Sequence, residues 1–148
     1  MVGGISGHCA CGQVVYEYNG MVGPANYCHC EDCRRLNGSA FNIGVRMDSA
    51  EFKVVSGSLK AFSKCGDSGR ELTRHFCSNC GSPIFTSSPT HPDYVYVKAG
   101  TLDDASVVKP THESWTESAV SWSRIDADLR SFSRSQNPDA VRLATTDE

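Results

Sequence analysis

The clearest signal in this chain is alternation with a period of two. Residues 94–99 (YVYVKA) switch between aromatic and β-branched positions, as expected of a strand whose successive side chains face opposite sides of a sheet. Shorter runs of strand character occur at 13–18 (QVVYEY), 40–45 (AFNIGV), 51–55 (EFKVV) and 72–76 (LTRHF). Between them lie stretches of Gly, Asn, Asp and Ser that read as turns. Helical signals are few. Residues 30–37 predict one short helix or turn, which Gly38 would end, and Thr101-Leu-Asp-Asp predicts a single turn capped by Thr101. The pattern predicts a mainly β fold, one domain built of many short strands. We find no repeat and no internal linker. The domain is expected over 1–135, and 136–148, which lacks a periodic pattern, as a loose tail.

Composition adds a constraint. Apolar residues make up 39% of the 148 positions, a modest core that crosslinks would usefully supplement. Seven of the eight cysteines fall into tight groups: Cys9-Ala-Cys11, Cys28-His-Cys30-Glu-Asp-Cys33, and Cys77-Ser-Asn-Cys80. Thiolates one or two residues apart can converge on a metal ion, whereas neighbours that close rarely form a relaxed disulfide. No basic segment leads into an apolar run near residue 1, and no run of about eighteen apolar residues could span a bilayer. The expectation is a cytoplasmic protein in a reducing compartment, without a membrane partner. A net charge of −3 and a pI of about 5.9 argue against a nucleic-acid-binding surface.

Four thiolates close one tetrahedral zinc site, and three leave a position open. Closed sites hold structure and open ones do chemistry. Cys77-Ser-Asn-Cys80-Gly81 reads as a zinc knuckle, in which glycine accepts the positive φ of the turn. Cys9 and Cys11 can complete its ligand set, because alternate residues of an extended segment face one way. Cys28, Cys30 and Cys33 then remain for a second zinc. His29, between two cysteines, should point away from their sulfurs and belong to the surroundings or the surface. The other reading of this triad is a second structural site, closed by His29, Cys65 or another chain. Three thiolates outweigh the +2 charge of zinc, so an open site of this kind suits an incoming thiol better than hydrolytic water. Cys65 has no partner at ligand spacing and reads as an exposed thiol. Arg34-Arg35 could attract a small anion. His112 is the histidine worth testing as an acid or base. His8, His75 and His91 look incidental, Ser39 is a possible donor to substrate, and Phe41, Trp115 and Trp122 read as buried rather than as cleft wall.

The order of these motifs resembles a known family. Gly7-His-Cys9-Ala-Cys11-Gly12 is followed by Cys28-His-Cys30-Glu-Asp-Cys33-Arg34, Gly38-Ser-Ala-Phe41, Phe76-Cys77-Ser-Asn-Cys80-Gly81-Ser-Pro-Ile84 and Lys98-Ala-Gly-Thr-Leu-Asp103, then His112-Glu-Ser-Trp115. In this order they resemble the glutathione-dependent formaldehyde-activating enzymes, whose domain a centromere protein shares. The resemblance implies an Mss4-like β-tent fold. It implies a structural zinc on Cys9, Cys11, Cys77 and Cys80 and a catalytic zinc on Cys28, Cys30 and Cys33. It also implies a carbon–sulfur lyase activity of the S-(hydroxymethyl)glutathione synthase type. A small thiol is the expected partner, with Arg34 or Arg35 as candidate holders of its carboxylate. Glu113 stands where the resemblance implies an apolar residue. The rival is a non-enzymatic zinc-binding interaction module. A homodimer is expected only from the frequency with which exposed strand edges pair.

Overall fold

The structure is a computed structural model and describes residues 4–123 and 128–135; the predicted tail over 136–148 lies outside them. Along the chain come β1 (Ile5–His8), β2 (Val15–Tyr18), β3 (Ala25–Cys28), α1 (Glu31–Asn37), β4 (Asn42–Asp48), β5 (Phe52–Ser56) and β6 (Leu59–Cys65). They are followed by β7 (Glu71–Cys77), β8 (Pro83–Ser87), β9 (Tyr94–Lys98), β10 (Pro110–Ser114) and β11 (Arg130–Ser131). Among the described residues, α1 is the one α-helix, and no helix is long and apolar enough to cross a membrane.

The strands form two sheets. One has the order β1-β2-β5, and the other β11-β10-β3-β4-β9-β8-β7-β6. Pairing is antiparallel except at one end of the larger sheet, where β10 runs parallel to both β3 and β11. That parallel pair brings Ser114 beside Cys28, from segments far apart in sequence.

Alternation sorts the two faces of the large sheet. Val45 and Met47 of β4 and Val95 and Val97 of β9 are buried in one cluster with Tyr16 and Tyr18 of β2, so this face packs on the small sheet. Phe52 of β5 bridges the layers through ring contacts with Tyr16 and Phe85. The intervening residues, Asn42 on β4 and Tyr94 and Tyr96 on β9, face the other way, toward the cleft described below. Burying each of the larger side chains of this core stabilises by about 1.5–3 kcal/mol before chain entropy is counted.

The five strands read from alternation are all present, as β2, β4, β5, β7 and β9, with ends displaced by up to three residues. The predicted turn at Thr101 differs. A 3-10 turn covers Ala99–Thr101, so Thr101 ends it, its hydroxyl donating to the Lys98 carbonyl and meeting the Tyr16 hydroxyl. The side chain that caps the next turn, Ala105–Val107, is Asp104, which accepts from the Ser106 N–H.

Candidate metal centres and cleft

The structure brings Cys9, Cys11, Cys77 and Cys80 together, and Cys28, Cys30 and Cys33 together. Within each group all sulfurs lie within 4.8 Å of one another. In the first group Cys9 and Cys11 are 3.5 Å apart and Cys11 and Cys77 3.8 Å. Four sulfurs about 2.3 Å from a central zinc would stand roughly 3.8 Å apart. Backbone N–H groups also point at the sulfurs. Val14 donates to Cys9, and Asn79 and Cys80 donate to Cys77, an arrangement that stabilises thiolates rather than thiols. Ser82 ties the two turns together, its hydroxyl oxygen accepting from the Ala10 N–H and meeting the Cys80 sulfur. The Ser82 contacts hold the Cys80 thiol down to about 5. This donor set fits a closed metal site. The expected geometry at Cys9 and Cys11 needs correcting: they sit in a turn, closed by the Gly12 N–H to the Cys9 carbonyl, not on an extended segment.

The second group is built around α1. Cys30 is its N-cap, extended in backbone, with its sulfur accepting from the Cys33 N–H. Cys33 follows in the first turn, so three residues of spacing place both sulfurs on one side. Gly38, at φ 70°, closes the helix with its N–H on the Arg34 carbonyl. Hydrogen bonds from the thiols of Cys30 and Cys33 draw the Cys28 thiol well below its ordinary range, and those same contacts push Cys33 far up. A cation is what allows all three to ionise, so this donor set too fits a metal such as zinc.

The surroundings of the triad are more constrained than its sequence suggested. His29 does point away from the sulfurs, but it is 1% exposed and not a surface residue. Its Nε2–H donates to Glu113 Oε1 at 3.0 Å, and its ring meets Phe41 edge-on. Glu113 therefore has a partner that an apolar residue would lack. The His29 N–H bonds the Ser114 carbonyl, and Asn26 Nδ2 donates to the Ser114 hydroxyl. Together these tie β3, the entry to α1 and the end of β10.

Cys28, Cys30 and Cys33 open into a cleft of about 140 Å³, and none of the other four metal-site cysteines lines it. Tyr94, Tyr96 and Trp115 contribute its aromatic wall. Burial pushes the Tyr96 hydroxyl up to about 12, so it keeps its proton. Trp115 holds φ 58°, with its N–H on the Arg134 carbonyl and the Arg134 guanidinium over its ring; left-handed backbone at a bulky residue is sustained by such contacts. Trp115 is thus cleft wall, whereas Trp122 is 71% exposed, not buried. Arg34 and Arg35 do not line the cleft, and Arg35 pairs with Glu31 on the helix surface. His112 is buried against Phe132, outside the cleft, and burial lowers it to about 4. Of the histidines read as incidental, His91 does line the cleft, stacked on Tyr94. Cys65 is exposed, as expected, and Ser39 lies outside the cleft. The residue sequence reasoning missed is Arg74 of β7, which is buried and lines the cleft.

A mainly β domain with a four-thiol group and a three-thiol group on a cleft is of Mss4-like type, and each of its cysteine groups could hold a metal. The sequence model of the glutathione-dependent formaldehyde-activating enzyme family matches residues 4–118, and the chain belongs to that family. A Halomonas elongata protein named "Putative glutathione-dependent formaldehyde-activating enzyme" is 27% identical over 103 residues, covering 67% of this chain and 66% of that protein; the match thus spans just under two thirds of the relative's length. A crystal structure of a Rhodobacter sphaeroides protein shares the fold, with a TM-score of 0.56 at 22% identity over 86% of this chain and 98% of that one.

Proposed function

We propose that this chain is a zinc-dependent enzyme of carbon–sulfur lyase type, acting on a small thiol and an aldehyde, with glutathione and formaldehyde as the family-type pair. The observation that carries the reading is that one thiol cluster faces a cleft and the other does not. Cys9, Cys11, Cys77 and Cys80 would hold a structural zinc, and Cys28, Cys30 and Cys33 a catalytic one. Bound by three thiolates, zinc would supply a soft centre that favours an incoming sulfur and its ionised form.

The protein's own groups supply the rest. The Ser114 hydroxyl hydrogen-bonds the Cys28 sulfur and is itself fixed by Asn26. Tyr94, Tyr96 and Trp115 exclude water from one side of the cleft, and the protonated Tyr96 hydroxyl offers a neutral donor to an aldehyde oxygen. In the forward direction the sulfur–carbon bond forms and the carbonyl π pair moves to oxygen. The proton lost from the thiol ends on that oxygen. The reverse reaction restores thiol and aldehyde.

The test is exchange NMR with ¹³C-formaldehyde and glutathione on zinc-loaded protein. Interconversion with S-(hydroxymethyl)glutathione should run faster than the uncatalysed rate and return to it in Cys33→Ser, with the structural zinc retained. An undiminished rate in that variant would sink the reading. No acceleration by the two-zinc protein would favour the non-enzymatic interaction module.

A further inference from the structure

Arg74 is a strange residue to find in the middle of a strand. It lies on β7, between Phe62 of β6 and Thr86 of β8, and is 7% exposed. Its Nη1 is buried and, among the described residues, has no hydrogen-bond partner. A guanidinium is always charged and carries five N–H donors, and leaving one unpaired away from water is costly. Yet the residue lines the cleft that holds Cys28, Cys30 and Cys33.

The carboxylates nearby do not serve it. Asp32 lines the cleft but is paired with Lys64, and Asp67 is exposed at the rim with no ion pair to Arg74. A second cation lies close by. Lys98 on β9 is pressed toward its neutral form by burial, and the Arg74 charge adds to that. Its Nζ donates to Asn42, itself a cleft residue. Arg70 also lines the cleft and is less buried than Arg74. The cleft lining therefore holds two chemically distinct groups: the thiol triad, and a buried guanidinium with an unused donor and, among the described residues, no carboxylate paired with it. A ligand that engages both carries a sulfur and an anionic, planar, hydrogen-bond-accepting group.

We propose that Arg74 binds the carboxylate of the substrate, making the cleft selective for carboxylate-bearing thiols over neutral ones. The proposal rests on the reading of the triad as the thiol-binding group. Arg74 is a specificity-determining residue in this account and takes no part in the sulfur–carbon step. Arg34 and Arg35, the cations adjacent to the triad in sequence, lie outside the cleft and are not needed.

The experiment uses a probe without a free thiol, so that Arg74 and the triad are read separately. S-methylglutathione and its dimethyl ester are titrated into the zinc-loaded full chain by calorimetry. The acid should bind at least tenfold more tightly than the ester. Arg74→Gln should cut that ratio below twofold, Arg74→Lys should restore part of it, and Arg70→Gln should leave most of it. Zinc content and melting temperature are measured on every variant. If Arg74→Gln does not fold, Arg74→Lys carries the test through a reduced acid-to-ester ratio. Equal binding of acid and ester to the unaltered protein overturns the proposal, as does no binding of the acid at millimolar concentration. A ratio unchanged by both Arg74 substitutions overturns it too. Loss of the second zinc in the Arg74 variants would also overturn it, by showing that the guanidinium balances the thiolates. Failure of the thiol reading shows elsewhere: glutathione would then bind no more tightly than S-methylglutathione.

Discussion

Cys9 and Cys11 meet Cys77 and Cys80 across a gap of 66 residues between Cys11 and Cys77, whereas Cys28, Cys30 and Cys33 come from one six-residue stretch. Both groups offer the same donor atoms, yet a metal would mean something different in each. Closing the long loop removes chain entropy that folding would otherwise have to overcome, and the cost of closure grows with loop length. Closing a six-residue loop whose helix already caps itself removes far less. The first group contains Cys9 and Cys77, both in the apolar cluster between the sheets, while the second opens on a cleft at the opposite face. Ligand chemistry alone would not separate the structural from the catalytic metal of the proposed function. Loop length and what lies beyond the last ligand would.

The largest expected effect tests that contrast directly. Structural zinc can contribute on the order of 10 kcal/mol to folding, comparable with the whole net stability of a domain, about 5–15 kcal/mol. Cys9→Ser should therefore give little soluble, cooperatively melting protein, and Cys33→Ser should fold with one zinc in place of two and melt within a few degrees of the parent. Circular dichroism melts with metal analysis on both variants decide it. Comparable destabilisation by the two substitutions would erase the distinction between a folding site and a working one.

Glu113 probes how firmly the open site is braced. In Glu113→Leu the buried His29 loses the acceptor for its Nε2–H while its Nδ1 has no partner among the described residues, which should cost about 3 kcal/mol. Because His29 lies between Cys28 and Cys30, retention of the second zinc should fall as well, seen as faster release to a chromogenic chelator than from the parent. Unchanged stability and unchanged release together would show that the His29–Glu113 contact braces nothing.

His112 lies on the same strand, β10, yet belongs to the packing rather than the cleft. Burial, with a smaller push from Arg130, holds it near 4 in the folded protein, against about 6.5 when unfolded. The neutral ring is the one the fold accepts. Its stabilising contribution is thus complete above pH 6.5 and is lost as the pH falls from about 6.5 toward 4, where the unfolded chain takes up the proton first. The loss is on the order of 2 kcal/mol. Denaturant titrations of the parent and His112→Gln at several pH values should show the stability gap between them narrowing over that window. A gap independent of pH would mean the ring is not held neutral by its surroundings.

What could be read from residues alone follows a physical line. The cysteine groups, the helix over 31–37 with its Gly38 cap, and β9 were legible because each depends on near neighbours: ligand spacing, capping and alternation. β6 was not, because it is an edge strand exposed along nearly its whole length, so its sequence, LKAFSKC, carries no alternation from a buried face. β10 was not, because PTHES is polar and its buried side chains, His112 and Ser114, find their environment only in a parallel pairing with a distant strand. The cleft suffered most from this. Proximity in sequence pointed to Arg34 and Arg35, which the helix turns away from it, while Arg74 enters by sheet register from forty residues further on. The one local signal for Arg74 was a charge between Leu72 and Phe76 on the same strand face.

The smallest effect is the sharpest comparison of the two centres. Gly38 closes the helix that carries Cys33, and Gly81 follows Cys80 in the knuckle; their φ values are 70° and 78°, and a Cβ at either would meet nothing within 4 Å. With no clash to relieve, alanine at each position costs only the left-handed backbone, about 1 kcal/mol. The strain should be the same, but its consequence should differ. In Gly81→Ala it falls on a turn whose N–H groups point at the Cys77 sulfur, so on the proposed function stability and retention of zinc at this group should drop in step. In Gly38→Ala the strain falls beyond the last turn of α1, past both Cys30 and Cys33, so the melt should shift by a similar small amount with both zincs retained. Chelator competition against thermal melts on the two variants reads this directly. Zinc lost as readily from Gly38→Ala as from Gly81→Ala would mean that the helix end, not only its N-cap, sets the geometry of the open site.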